Sequence, residues 1–192
     1  GVTTSTSDGV TTSTSDGVTT DTSGNTSATS SDTSSSTDTA GAAVGTEVTT
    51  GSGASAAKVK VTGTDTVTYE APASSKTTKV TIPATVTING KTYKVTSVAA
   101  GAFKNNKKLK TVTIGKNVKK IGKNAFSGCK NLKTIKLNGN TTTKFGKNAL
   151  KGISKKAKIT ITAKNKKQYN MVVKAMKKAG AKTATFKFKK GK

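Results

Sequence analysis

Proton-transfer chemistry needs a side chain that titrates near the working pH, and this 192-residue chain holds few candidates. It has no His. Its eight acids (Asp8, Asp16, Asp21, Asp32, Asp38, Glu47, Asp65, Glu70) all lie at or before residue 70, so neither a general acid–base pair nor a two-carboxylate hydrolase can be assembled from residues 71–192. A zinc site needs clustered His, Cys or carboxylate, and Cys129 stands alone. Calcium would need carboxylate-rich loops, whereas the acids here are sparse and scattered. There is no Gly-rich Lys motif to cradle a phosphate, so no metal or cofactor is expected, and no enzyme.

Three features offer weaker chemistry. Cys129 could be a reactive thiol, but it reads better as a small buried hydrophobe; being single, it forms no internal disulfide. Ser154 precedes Lys155 and Lys156, a pairing that dense lysine makes inevitable. Sequons begin at Asn25 and Asn140, as Thr-rich sequence often produces by chance.

Lysine dominates what remains. All 34 basic residues are Lys, and only Lys58 and Lys60 precede residue 71, which leaves 32 in residues 71–192 without a carboxylate side chain. Residues 1–70 therefore carry a formal −6 and the rest +32, for the net +26. Such a surface attracts polyanions in a salt-sensitive way. The absence of Arg weighs against forked recognition of bases, and specific nucleic-acid binding is not expected. Lysine also serves simply to keep a secreted domain soluble.

These residues need elements to position them. The segment GVTTSTSD recurs unchanged at 9–16 and degraded at 17–24, and Ser, Thr, Asp, Gly and Ala continue to residue 56. Such composition buries too little apolar surface to offset the entropy of ordering, so residues 1–56 are expected to form a disordered linker or stalk. Order should begin near Lys58. Val59 and Val61, then Val67 and Tyr69, alternate around a turn at Gly63–Asp65, as in a hairpin. Val80 and Ile82 mark a short strand closed by Pro83; Val86 and Ile88, then Tyr93 and Val95, flank Asn89-Gly90, which favours a two-residue hairpin turn. Residues 57–95 are thus expected to be a β-hairpin region that serves as an N-terminal cap.

From Val95 the chain repeats. Ala102, Ala125 and Ala149 are 23 and 24 residues apart, as are Val112, Ile135 and Ile159, within the leucine-rich-repeat window. Each copy pairs a short strand (Val112/Ile114, Ile135/Leu137, Ile159/Ile161) with a short helical turn on the opposite, convex side at Ala102-Phe103, Ala125-Phe126 and Ala149-Leu150. Asn105, Asn106 and Asn131 would bond the turning backbone between them. One coil cannot bury its own apolar face, so the coils of 96–163 must stack and be capped. Tyr169, Val172, Val173, Met176 and Ala179 have helical spacing before Gly180, and Thr185–Phe188 alternates, so 164–192 is expected to cap the far end as helix then strand.

The run VTSVAAGAFKNNKKLKTVTIGKNVKKIGKNAFSGCKNLKTIKL resembles the BspA-type leucine-rich repeat of bacterial surface proteins. That repeat reads Ile-Gly-x-x-Ala-Phe-x-x-Cys-x-x-Leu-x-x-Ile-x-Leu, which residues 121–137 match at each named position. The first copy has Ala99 for Gly and Asn106 for Cys; the third has Leu150 for Phe and Ile153 for Cys. The resemblance implies an extracellular or cell-surface protein of bacteria, with a role in adhesion to host matrix, other cells or surface polymers. The fold expected is an α/β leucine-rich-repeat solenoid with short parallel strands. Its concave strand face would present Thr111, Thr113, Thr134, Lys136, Thr160 and Thr162. The expected partners are host matrix or surface proteins, or anionic surface polymers such as teichoic acid. The chain is expected to be monomeric. No apolar run is long enough to insert in a membrane, and nothing near Gly1 resembles a signal peptide. A longer parent protein would use this solenoid as a targeting arm.

Overall fold

An alternating strand buries one face only, so each strand above commits to an inward apolar row and an outward polar one. The computed structural model describes residues 41–51, 56–74 and 76–191, all within one compact unit spanning Asp38–Lys192. In chain order it contains β1 (Glu47–Thr50), β2 (Ala57–Gly63), β3 (Thr66–Pro72), β4 (Lys79–Ile82), β5 (Thr85–Ile88) and β6 (Lys91–Val98). Next come β7 (Thr111–Ile114), β8 (Lys120–Ile121), β9 (Thr134–Asn138), β10 (Lys144–Phe145), β11 (Lys158–Ala163), the helix α1 (Lys166–Lys178) and β12 (Thr185–Lys190).

These strands make two sheets. The first runs β1-β2-β3-β6-β8-β10 with β5 paired to β6; the second runs β12-β11-β9-β7-β4. From β3 onward each coil adds one parallel rung to the first sheet and then one to the second. The inward row of the second sheet is continuous across four coils: Val80, Val112, Ile135 and Ile159 are in register, as are Ile114 with Ile82 and Ile161 with Leu137. All are buried. Phe186 and Phe188 continue it on β12, half-buried, where Tyr169 meets Phe188 edge-on at 5.4 Å and Lys166 and Lys177 lie over the two rings.

Both hairpins form as their alternation requires. Asn89 and Gly90 have φ of 50° and 76°, the pair of left-handed residues that the two-residue turn demands. The Asn-Gly hairpin does not sit at the solenoid's end, however. The second half of β6 lies between β3 and β8, and β4 pairs in parallel with β7, so coiling starts inside the region read as a cap. The end itself is covered by β2 and β1. That corrects the stalk boundary of residue 56: Glu47–Thr50 pair with Ala57–Lys60, because β2 offers an unpaired edge and Val48 packs against the core. The rest of the expected stalk, residues 1–40 and 52–55, lies outside the described residues.

The expected helical turns are not helices. Through Gly101–Asn106 and Asn124–Cys129, alternate amides bond within the turn (Lys104 to Gly101, Ser127 to Asn124) and the others donate to the next coil. Gly101, Phe103 and Asn105 donate to the carbonyls of Lys123, Ala125 and Ser127; Asn124, Phe126 and Gly128 donate to those of Lys147, Ala149 and Lys151. A helix would use all these donors inside one coil. Positive φ at two positions four apart prevents it: Gly101/Asn105, Asn124/Gly128 and Asn148/Gly152, with Gly and Asn exchanging places between coils. Behind these turns the rings of Tyr69, Phe103 and Phe126 stack at 5.5 and 4.9 Å. The C-terminal helix forms as its spacing predicts. Asn165 caps it by accepting from the Gln168 amide at 2.8 Å, and Gly180, at φ 112°, lies too close to Leu150 and Lys151 to carry a side chain.

Candidate ligand-binding surfaces

The groups with any chemistry are absorbed by the fold. Cys129 is fully buried, and its Sγ donates to the Phe103 carbonyl at 3.0 Å. Burial pushes its thiol up to about 11, against a smaller opposing effect of the Asn106 backbone, so it is neither a thiolate nor reachable. The Ser154 hydroxyl accepts from the Lys156 amide at 3.2 Å, closing a turn rather than forming a Ser-Lys dyad. Asn140 accepts from the Lys164 amide at 2.9 Å, which ties this sequon to the neighbouring coil; Asn25 lies outside the described residues. Asn106 accepts from the Lys108 and Leu109 amides, and Asn131 donates to the Lys107 carbonyl, which are the roles that turning backbone required of them. Thr142 is buried where the preceding coil has Val118, and its hydroxyl donates to the Val118 carbonyl at 2.7 Å. Among the described residues no three of His, Cys, Asp or Glu gather as metal ligands would, and no helix is long and apolar enough to cross a membrane.

What faces outward is a grid. The six candidate residues lie on the outward row of the second sheet, and the register brings them into columns. Thr111 is opposite Thr134, which is opposite Lys158; Thr113 is opposite Lys136, which is opposite Thr160; Thr162 is opposite Asn138. Sequence reasoning missed the grid's two ends. Lys79 and Thr81 on β4 extend the first two columns, and Thr185, Lys187 and Lys189 on β12 extend all three. Both strands were legible from their alternation, but nothing in it announced that they were further rungs. Adjacent strands lie about 4.8 Å apart. Every lysine in these columns therefore has a threonine, not another lysine, directly across.

The first sheet's outward row differs. Thr68 and Ser97 are opposite each other and share a hydrogen bond of 2.6 Å; Ser97 is then opposite Lys120, and Lys120 is opposite Lys144. The ion pairs among the described residues, Lys60–Glu47 at 3.5 Å and Lys94–Asp65 at 3.2 Å, both sit toward the N-terminal end and are solvent-exposed, where such pairs contribute little. Among the described residues Lys120 and Lys144 have no such partner.

Residues 65–177 match the BspA type leucine rich repeat region, in six copies. Among solved structures, the chain is similar to a leucine rich cell surface protein from Faecalibacterium prausnitzii A2-165 at 23% identity and a TM-score of 0.48; the match covers 60% of this chain and 32% of that one. It is also similar to a leucine-rich repeat protein from Bacteroides capillosus at 21% identity and a TM-score of 0.49, covering 78% of this chain and 99% of that one. This chain thus spans about a third of the first of these proteins. No curated protein sequence matches it.

Proposed function

The chain belongs to the BspA type leucine-rich repeat family, and on that premise we propose that it is a non-catalytic interaction module of a bacterial surface or secreted protein. The observation that carries this reading is the outward grid of the second sheet. It is a regular array of Thr hydroxyls and Lys ammonium groups over five strands, with no carboxylate among them. Hydroxyls and point charges held on rigid strands suit an acidic protein partner of the host matrix or cell surface. The test is binding of the full chain to immobilised acidic matrix proteins at physiological salt, compared with the Lys136→Glu/Lys187→Glu variant. These two residues share one column, each beside Thr160. A loss of tenfold or more is expected; unchanged binding would rule this face out as the docking surface.

A second reading is favoured by a different observation, the complete lack of carboxylate side chains after Glu70. Lysines so placed would hold the protein on an anionic cell-wall polymer. Sedimentation of the full chain with walls whose anionic polymers are retained or stripped tests it. Binding that vanishes on stripping and fades with salt supports this second reading. Binding that survives stripping contradicts it.

A further inference from the structure

We propose that the first sheet carries a separate binding surface, a lysine-lined trough that takes a linear polymer of phosphate-linked polyol units. The inference rests on the wall-polymer reading for the polymer's charge, and adds a site and a chemistry. Two concavities open on this side of the molecule and share Thr143 and Lys144. The first is bounded by Thr96 and Ser97 on β6 and by Lys119 and Lys120 at β8. The second continues past Phe145 and Lys147 to Lys178 on α1. Together they form one path across β6, β8 and β10 to the helix, bordered by five lysines and no acid.

The like-charge contact is what singles this path out. Lys120 and Lys144 are in register on neighbouring parallel strands, their backbones about 4.8 Å apart. Like charges directly opposite destabilise a sheet. Lys123 and Lys147 then occupy the same place in consecutive coils, 24 residues apart, on the same stretch of chain. On the second sheet the lysines are arranged so that none is directly opposite another. The repulsion at β8–β10 is thus avoidable, yet among the described residues neither lysine has an acid as an ion-pair partner. An anion lying in the trough would relieve it, and concave walls concentrate the field there.

The lining selects among anions. Lysine offers compact point charges rather than the planar fork that grips carboxylates and bases two bonds at a time, which suits a singly charged phosphodiester. Thr96, Ser97, Thr141 and Thr143 add hydroxyls that both donate and accept, matching the hydroxyls of a polyol. Stacking of nucleobases needs an open aromatic face. The aromatic residue here, Phe145, is opposite core residue Ile121 in the strand register and is half-buried against that core.

The experiment titrates the full chain with poly(glycerol phosphate), following sedimentation or fluorescence at 0.15 M salt. The trough variant Lys120→Thr/Lys144→Thr/Lys147→Thr is compared with a grid variant of equal charge change, Lys136→Thr/Lys158→Thr/Lys187→Thr. All six side chains are exposed, and the three grid lysines already have threonine across from them, so at 0.15 M salt neither variant should melt below the parent. The trough variant is expected to bind at least tenfold more weakly, and the grid variant within threefold of the parent. Equal losses in both would overturn the trough while leaving diffuse wall attachment standing. Tighter binding of polyglutamate or of oligo(dT) than of poly(glycerol phosphate) would overturn the ligand class. No binding to any polyanion would overturn the trough together with the reading beneath it.

Discussion

On the second sheet, Lys136 stands between Thr113 and Thr160, and Lys158 between Thr134 and Thr185; on the first, Lys120 stands directly against Lys144. Both sheets bury the same kind of residue, and both are built from the same repeat. Beyond the first sheet's acids at its N-terminal end, Glu47 and Glu70, their surfaces differ in arrangement. A lysine flanked by hydroxyls has its nearest in-row ammonium two strands away, about 10 Å, and meets other lysines only on the diagonal, as Lys158 does Lys136. A lysine against a lysine keeps a local field that an anion lying beside it would neutralise. Net charge alone would have treated the two faces as one.

The largest effect should come from what the faces share. Phe126 stacks on Phe103 at 4.9 Å behind the turns and is fully buried, so Phe126→Ala should lower stability by about 3–5 kcal/mol and abolish binding on both faces together. Urea unfolding measures it. A variant that lost one face's binding and kept the other's would show that the sheets fold independently.

Close contacts between coils come next, and they occur on both sheets, since a Cβ at Gly115, beyond β7, would also meet backbone, that of Pro83–Ala84, at 2.6 Å. A Cβ at Gly122, where the first-sheet rung β8 ends, would come within 2.5 Å of the Ala99–Ala100 backbone, whereas at Gly139, beyond β9, it would meet the Ile161 methyl at 2.6 Å. The backbone cannot step aside, whereas the buried Ile161 side chain can give a little. Gly122→Ala should therefore cost about 2–3 kcal/mol, and Gly139→Ala clearly less. Equal costs in urea unfolding would contradict the tighter stacking at Gly122.

Cys129 gives a pH signature of the shared interior. Its folded thiol is pushed up to about 11 from an ordinary 9.0, so the unfolded chain loses this proton first. The contribution is fully present below pH 9 and is lost as pH rises toward 11. Lysines titrate nearby, so the parent is compared with Cys129→Ala, which should show a shallower fall in stability over that window. Rapid alkylation of the folded parent at pH 8 would contradict the burial.

The smallest effect is the most specific to the comparison. Lys120→Thr should stabilise the fold by a few tenths of a kcal/mol at low salt by ending the contact with Lys144, and the gain should fade as salt rises. Lys136→Thr, with threonines on both sides already, should change little. Thermal melts at two ionic strengths decide it.

Much of this was legible in the sequence, for reasons that differ by element. Asn89-Gly90 announced its hairpin because few residues tolerate two successive left-handed positions. The period of 23 and 24 residues gave the coils and the six outward residues of the second sheet, because alternation fixes which side chains face out. The turns were misread as helical because Ala-Phe looks like a helix anchor; the exchange of Gly and Asn at paired positions was the signal, visible only once the copies are aligned at both. The strand β1 was hidden because Glu47–Thr50 has the composition of its disordered-looking neighbours and is ordered by the edge of β2. The Lys120–Lys144 contact was hidden for another reason. It depends on the register of two-residue strands, which no local pattern encodes.

The most direct test of unequal faces is to map backbone amide shifts of the isotope-labelled full chain during titration with poly(glycerol phosphate) at 0.15 M salt. Perturbations should begin at Ser97, Lys119, Lys120, Thr143 and Lys144 and reach α1, while Thr113, Lys136 and Thr160 stay still. Shifts spread evenly over lysines of both sheets, or confined to the second, would contradict the trough.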